Sequence, residues 1–591
     1  MTTPGPSSSS LAVVTRVQDA LAAPGAPFAV TETPRGPRYL AGPAVLRDFL
    51  TATRAHGELT FLVHGESRLT FAEHYAAAVA LAHHYVDHYR LRPGDRVAIA
   101  MRNLPAWQVA FWATQLAGLI AVPLNAWWTA RELGRALDDC TPRLVVADQE
   151  RAARIEPWLA GQAERPWLLT AGADADAERG ERVERFEELP PPVAGRPAPE
   201  VAISPEDDAT IVYTSGTTGR PKGVVATQSS WCAATIGPRF FAATAALAAG
   251  REPGQPSAPT VLMTYPFFHV AAFTALFPLM AGGGTAVLMD RWDPTQALEL
   301  IDRHQVTTFN GVPTTALALL DAAEAGDPAD ATALAADATA LAATDAAPLS
   351  LTVISTGGAA APPGLARRIA RRFGGRVEPR NGYGLTETCG GVTANVGARY
   401  LEHPDSIGRR SPALAVRIAG PDGAPRPEGE VGELWLRGQA VFRGYWNDPA
   451  ATAAAFAGPW FRTGDLARVR DGEVYLVDRL KDLVIRGGEN VYCGEVEGVL
   501  LDHPAVADAA VLGVPHPLLA EEVAAVVRLR GAAHADAEEL RRHVAARLAA
   551  FKVPAHVLLH PLPLPRNATG KLLKHELRAQ LAAAADAPAR T

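Results

Sequence analysis

Apolar and polar positions along the chain follow two rhythms. From Leu69 onward, apolar residues recur at helical spacing over Phe71–His88, Ala106–Ala117 and Thr129–Leu137. Short apolar runs alternate with these stretches: Arg96-Val-Ala-Ile-Ala-Met101 behind the turn Pro93-Gly94-Asp95, then Leu119–Leu124 and Leu144–Ala147. Strands separated by helices of about ten to fifteen residues predict parallel sheet with crossover connections. The same rhythm returns at Thr260–Met263, Ala286–Met289, Thr307–Phe309 and Leu351–Ser355. The reading is α/β architecture, repeated.

Two stretches break that rhythm. Residues 171–205 are rich in Ala, Glu, Pro and Arg and read as a surface linker. Residues 322–347 are almost entirely Ala, Asp and Thr and read as an exposed helix or loop. From Ile407 to Tyr475 the texture becomes short β-type runs such as Val416-Arg-Ile418 and Gly432-Glu-Leu-Trp-Leu436, separated by Gly and Pro turns. After Asp478 an α+β segment runs to about residue 580. The longest apolar run, Val109–Leu124, is interrupted by Thr114, Gln115 and Pro123 and falls short of the roughly 20 residues a spanning helix needs. It reads as buried helix followed by buried strand.

Composition narrows the function classes. A chain of 591 residues with 48% hydrophobic content builds several cores. With 56 basic against 63 acidic side chains the net charge is -7, which excludes a global positive field drawing it to nucleic acid or an anionic membrane. Any polyanion must be gripped locally. Four cysteines, none in a Cys-x-x-Cys pair, exclude a disulfide framework. Together with a polar N-terminus that carries no arginine before Arg16, this predicts a reduced, cytoplasmic protein with a frayed end over residues 1–20.

The densest chemistry lies in Tyr213-Thr-Ser-Gly-Thr-Thr-Gly-Arg-Pro-Lys-Gly-Val224, just past the apolar pair Ile211-Val212. Glycines let backbone N–H groups approach phosphate oxygens, while Thr214, Ser215, Thr217, Thr218 and Lys222 supply hydroxyl donors and charge around Gly216. The order Pro221-Lys222-Gly223 does not fit the Walker pattern. His84-Tyr-Val-Asp-His88 approximates an inverted zinc-protease signature, but Asp87 replaces the required glutamate. That stretch reads as helix packing, with no metal expected.

With the phosphate loop, six further segments in fixed order resemble the class I adenylate-forming superfamily of AMP-binding enzymes, which includes acyl-CoA synthetases, peptide-synthetase adenylation domains and firefly-type luciferases. They are Tyr265-Pro-Phe-Phe-His-Val270, Ser355-Thr-Gly-Gly-Ala359, Asn381-Gly-Tyr-Gly-Leu-Thr-Glu-Thr388, Phe461-Arg-Thr-Gly-Asp-Leu466, Asp478 to Asn490, and Pro565-Arg-Asn-Ala-Thr-Gly-Lys571. The resemblance spans about Leu69 to Leu577 and is most like fatty-acid and acyl-CoA synthetases. It implies an adenylation body over 21–478, made of two α/β sheet layers and a small β-barrel-like unit. A hinge at 479–482, a mobile α+β domain over 483–580 and a tail over 581–591 would follow.

The resemblance also assigns roles. Gly357, Gly358 and Ala359 would clear space for adenine and the acyl group, with Asn381 and Gly382 beside them. The Tyr383 ring can lie against a nucleobase. Thr386 and Glu387 offer a hydroxyl for the α-phosphate and a hard oxygen for Mg²⁺, with Thr214. Asp465 can accept from both ribose hydroxyls, because a carboxylate is acceptor-only. Arg479 would contact ribose or phosphate. Lys571 would reach the reacting carboxylate and α-phosphate, where loss of a comparable donor costs about 10²- to 10³-fold in rate. Lys481 would sit at the hinge, and Gly487, Gly488, Glu489, Asn490 and Tyr492 would line a pantetheine tunnel.

His269 stands where amino-acid-activating relatives carry an aspartate for the substrate ammonium, and no carboxylate follows until Asp290. A free amino group would lack its partner, so a plain carboxylic acid is expected. Val270, Ala271, Ala272, Phe273, Asn310, Gly311, Gly384 and Cys389 would line its pocket, with room for a medium or long aliphatic acid or an aryl acid. The expected reaction is ATP- and Mg²⁺-dependent acylation of coenzyme A, with no nucleic acid and no membrane segment; a homodimer is compatible. Alternatives are transfer to a carrier-protein thiol or an amine, and nitrite activation for diazotisation. Intact Thr386, Glu387, Asp465, Arg479 and Lys571 speak against a catalytically dead binding protein.

Overall fold

The computed structural model describes residues 10–172, 182–193, 195–214, 221–251, 258–325, 349–362, 364–531, 533–566 and 572–586. Two large sheets carry the body. The first has eight strands in the spatial order Gly444–Tyr445, Lys222–Thr227, Asp208–Thr214, Ile120–Pro123, Arg96–Ala100, Leu144–Asp148, Trp167–Ala171 and Val183–Arg185. From Asp208–Thr214 onward every neighbouring pair is parallel. The second has nine strands in the order Arg409–Arg410, Gly390–Val396, Glu378–Leu385, Val353–Gly357, Thr308–Gly311, Thr260–Met263, Thr285–Leu288, Thr60–His64 and Ser67–Thr70. Its central strands are parallel and its edges antiparallel.

Local sequence explains the elements. Thr70 and Glu73 form a reciprocal capping box that starts the helix Phe71–His83, and Thr129 with Glu132 does the same for Ala130–Cys140. Pro105 opens the helix Pro105–Leu116, where a missing N–H costs nothing. Ten consecutive residues of that helix, Trp107–Leu116, are buried, because it packs between the two sheets with Trp107, Phe111 and Trp112 against Phe267, Phe273 and Phe277. The run Val109–Leu124 is thus helix then strand, as its interruptions predicted.

The β-textured stretch forms a five-stranded antiparallel sheet of Leu414–Ala419, Gly432–Gly438, Trp460–Arg470, Phe456–Ala457 and Glu473–Arg479. Beyond it, Val484–Arg486, Glu489–Val491, Val506–His516, Ala520–Leu529 and His556–Leu559 form a separate mixed sheet with its own core around Val496, Leu500, Val511, Val523 and Val527. Among the described residues no helix is long and apolar enough to cross a membrane.

Two expectations change. Of the end read as frayed over residues 1–20, residues 1–9 lie outside the described residues, while residues 10–20 belong to the helix Ser10–Ala22, in which Leu11, Val13, Val14, Val17 and Leu21 form an apolar face; Leu21 packs with Phe28, Phe240 and Phe241. The linker stretch contributes the strand Val183–Arg185 to the edge of the first sheet, while residues 173–181 and 194 lie outside the described residues. Most of the alanine-rich segment, residues 326–348, also lies outside them.

Candidate active site

The order of strands places the site. In the second sheet the chain passes from Thr260–Met263 to Thr285–Leu288 on one side, then crosses to Thr308–Gly311 on the other. Ligands of open α/β sheets bind where strand order reverses in this way, beyond the carboxyl ends. Tyr265 and His269 follow the first of those strands, and Asn310 and Gly311 end the last. Gly357 and Gly384 lie at the carboxyl ends of the next two strands outward. A cleft of about 3930 Å³ opens there, also walled by the five-stranded sheet and the C-terminal unit.

Tyr265 ties the strand ends together. Its buried hydroxyl donates to the Gly311 carbonyl at 2.7 Å, with the Gly357 carbonyl at 3.3 Å. Gly357 needs its lack of a side chain, since a Cβ would stand 2.9 Å from the Gly382 carbonyl. Gly358, at φ +80°, takes a backbone conformation that favours glycine. Gly357, Gly358, Ala359, Asn381, Gly382, Tyr383, Gly384, Thr386 and Glu387 all line the cleft.

Asp465 and Arg479 face each other across antiparallel strands, with Arg479 Nε 3.4 Å from Asp465 Oδ1. Asp465 Oδ2 accepts from the Tyr383 hydroxyl at 2.6 Å. Burial, then the adjacent Asp465 carboxylate, push the Tyr383 phenol well above its ordinary value, so it remains a neutral donor. Each carboxylate oxygen keeps a further lone-pair direction for a ligand hydroxyl.

The phosphate loop is held at its feet. Thr214 and Lys222 are cross-strand partners, and both line the cleft. Ser215, Gly216, Thr217 and Thr218 lie outside the described residues. Lys222 Nζ stands 5.0 Å from the centre of the Tyr445 ring, and the Tyr445 hydroxyl donates to Glu387 Oε1 at 3.0 Å. One tyrosine thereby fixes both the cation and the carboxylate. Thr214, Thr386 and Glu387 present hard oxygens to one cleft, a donor set that suits Mg²⁺.

His269 caps the helix Val270–Ala281, its Nδ1 accepting from the Ala271 N–H at 3.2 Å. That bond leaves Nε2 to carry the proton of the neutral ring. Helical periodicity then sorts the residues expected to line the acid pocket. Val270, Ala271, Thr274, Ala275, Pro278 and Leu279 line the cleft. Ala272 and Phe273 are buried on the opposite side, Phe273 against Phe111, Trp231 and Phe277. Cys389 is 1% exposed and belongs to the same core, and Gly311 is packed against Thr315 and Phe309. Ala272, Phe273, Gly311 and Cys389 are therefore structural neighbours of the pocket, not its wall. Counting by 3.6 residues from Ala271 reaches Thr274, Ala275 and Pro278.

The far wall comes from Phe241, Ala242, Ala243 and Ala246 of the helix Gln228–Ala248, with Leu21 and Phe28. The twelve-residue helix Val270–Ala281, about 18 Å long, lines the cleft along one face. Gly391 opens directly into the cleft, for a Cβ there would meet nothing within 4 Å. Gly384 differs: a Cβ would stand 1.9 Å from the Gly390 carbonyl.

On the C-terminal side, Lys481 lies exposed on the turn after Arg479 and lines the cleft, as do Tyr492, Arg566, Lys574 and Arg578. Lys571 lies outside the described residues, between the cleft-lining Arg566 and Leu572. Gly487, Gly488 and Glu489 do not line it. They form the exposed tip of the hairpin Val484–Arg486/Glu489–Val491, both glycines at positive φ as a tight two-residue turn requires. Sequence reading also missed Arg528 and Arg530, at and just past the end of the strand Ala520–Leu529, which add positive charge to the same wall.

Comparison with known proteins agrees with this geometry. Residues 49–446 match the AMP-binding enzyme family, and residues 495–571 match the AMP-binding enzyme C-terminal domain. The chain is 34% identical over 493 residues to a feruloyl-CoA synthase of an Amycolatopsis species, covering 83% of this chain and 89% of that one. It is 34% identical over 500 residues to a long-chain-fatty-acid–CoA ligase of Mycobacterium tuberculosis, with the same coverage. An amide bond synthetase from Marinactinospora thermotolerans superposes with a TM-score of 0.75 at 27% identity, covering 91% of this chain and all of the other. The chain belongs to the AMP-binding enzyme family, within the class I adenylate-forming superfamily.

Proposed function

We propose that this protein is an AMP-forming acid:CoA ligase for a carboxylic acid with an extended apolar body, a medium- or long-chain fatty acid ahead of a compact aryl acid. The observation that carries the reading is the continuity of one cleft, from Asp465 and Tyr383 past His269 and along the apolar face of Val270–Ala281. The acid would lie with its carboxylate at His269 and its tail between the two long helices. Each buried methylene contributes about 0.8 kcal/mol, so an apolar helix face about 18 Å long favours chain length over polarity.

A carboxylate oxygen attacks the α-phosphorus of ATP, pyrophosphate leaves with the bonding electrons, and the CoA thiolate later displaces AMP from the acyl-adenylate. In this reading Asp465 holds the ribose, oriented by Tyr383 and Arg479, and Lys222 neutralises phosphate charge. Glu387, Thr214 and Thr386 would hold Mg²⁺, which supplies charge neutralisation when bound. Lys571 would bring a further charge to the α-phosphate from the C-terminal unit, whose cleft-facing residues include its chain neighbours Arg566 and Leu572. The hairpin tip at Gly487–Glu489, exposed and outside the cleft, would turn inward only on rotation about residues 479–482. Such a rotation accounts for how one protein serves two half-reactions.

A second reading, transfer to an amine in place of CoA, is favoured by the likeness to an amide bond synthetase. AMP release across fatty acids of increasing length and aryl acids, with CoA, with an amine, or with neither, separates them. The proposal expects CoA-stimulated AMP release that rises with chain length; release stimulated by amines alone would overturn it.

A further inference from the structure

A cluster far along the first sheet from its loop-bearing edge takes no part in the cleft. The helix Phe71–His83 ends in a π-helical turn, His84–His88, closed by the Tyr89 N–H donating to the His84 carbonyl at 3.1 Å. The fully buried Tyr85 anchors that turn in the core. His84 and His88 project from it side by side, their rings stacked with centroids 4.6 Å apart. Trp167 packs against the His88 ring at 5.3 Å and the Tyr89 ring at 4.7 Å.

Opposite them stands Glu184, on the edge strand Val183–Arg185. His84 Nε2 lies 2.7 Å from Glu184 Oε2, and His88 Nε2 lies 2.7 Å from Oε1. The Tyr89 hydroxyl donates to Oε2 at 2.9 Å. One candidate ligand atom from each of the three residues converges within 4.8 Å, the one such group of histidine, cysteine and acidic residues among the described residues. Asp87, which stands between His84 and His88 in the sequence, is turned to His83 and Arg196 instead. The carboxylate comes from a strand about a hundred residues later, where no local motif could reveal it.

We propose that His84, His88 and Glu184 form a three-ligand site for a zinc-class divalent cation, joining the edge strand of the first sheet to the π-helical turn. Two imidazoles and one carboxylate suit Zn²⁺, with water in the fourth position on the exposed side of His88. Tetrahedral ligands about 2.0–2.1 Å from zinc stand about 3.4 Å apart, so each 2.7 Å contact opens by less than about 1 Å. The two imidazoles and the Tyr89 hydroxyl converge on the Glu184 carboxylate from the side of the turn. Tyr89 then acts as a positioning residue that orients the carboxylate.

The test is Zn²⁺ titration of the chelator-treated full chain by calorimetry, read beside thermal unfolding, with Co²⁺ as a spectroscopic probe of the ligand set. The expected result is one Zn²⁺ per chain and a raised unfolding temperature. Glu184→Gln, which keeps size and hydrogen-bonding capacity, and His88→Ala should each abolish that stoichiometric binding. Tyr89→Phe should weaken it about 10- to 100-fold, and His83→Ala should leave it unchanged. Absence of binding to the wild-type chain overturns the proposal. So does undiminished binding, with an unchanged Co²⁺ spectrum, in Glu184→Gln.

Discussion

Both large sheets have a parallel centre whose strand order reverses, but they treat their switch points in opposite ways. In the first sheet the order reverses between Arg96–Ala100 and Leu144–Asp148, and the crevice there is plugged. Asp148, 7% exposed, accepts from the Arg102 N–H at 3.0 Å and caps the next helix through the Arg151 N–H. The Arg151 guanidinium, 2% exposed, pairs with both Asp148 oxygens and donates to the Ala126 carbonyl at 2.7 Å. It ties three strand ends together with charge that no ligand can reach. In the second sheet the equivalent gap is lined by glycines, Tyr265 and His269, and its charged neighbours face open space. The same fold therefore yields a structural knot in one place and a site in the other, according to whether a side chain of the chain itself fills the crevice.

If the plug is structural, breaking it should cost stability and spare chemistry. Arg151→Ala leaves Asp148 buried without its partner, and should lower unfolding free energy by about 3–5 kcal/mol in denaturant titration, with turnover per folded molecule unchanged. The open site should show the reverse. Lys571→Ala should reduce adenylate formation by about 10²- to 10³-fold while leaving thioester formation from supplied acyl-adenylate and the melting curve near wild type. Equal loss of both half-reactions would remove the assignment of Lys571 to the first.

The apolar side of the cleft gives a smaller effect. Gly391→Trp places a ring in open space, and filling the room of about two methylenes should weaken long acids by about 1.6 kcal/mol, roughly 15-fold, against short ones. Gly384 cannot serve for this purpose, since any side chain there collides with the Gly390 backbone and would disturb strand pairing.

The smallest effect is electrostatic. His64 Nε2 and Asp290 Oδ1 pair at 2.9 Å at the carboxyl ends of adjacent strands of the second sheet. The hydrogen bond raises His64 and lowers Asp290 from their ordinary values. The raised histidine stabilises fully below about pH 6.5 and loses that contribution as pH rises through its folded value; the lowered aspartate stabilises above about pH 4 and loses it as pH falls. Exposure of both partners limits the pair to under about 1 kcal/mol. His64→Gln should accordingly flatten a shallow stability maximum between those limits, seen as melting temperature against pH.

Element order and most of the site were legible because they depend on local patterns. Apolar runs such as Thr260–Met263 named their strands, and contiguous motifs such as Asn381–Thr388 kept their residues together at one strand end. What sequence missed was orientation and distance. Phe273 and Cys389 look like pocket residues by position but are buried in the core, Phe273 because a helix presents only some of its positions to any one side. Tyr445 and Arg530 come from segments far from the motifs they serve.

We propose that the unplugged switch point activates an apolar acid on ATP. Acid-dependent exchange of labelled pyrophosphate into ATP, measured without CoA across fatty acids of increasing length and aryl acids, tests it most directly. Exchange should require an acid, need no CoA, strengthen with chain length and collapse in Lys571→Ala but not in Arg151→Ala. Exchange absent with every acid, or equal with and without acid, would contradict it.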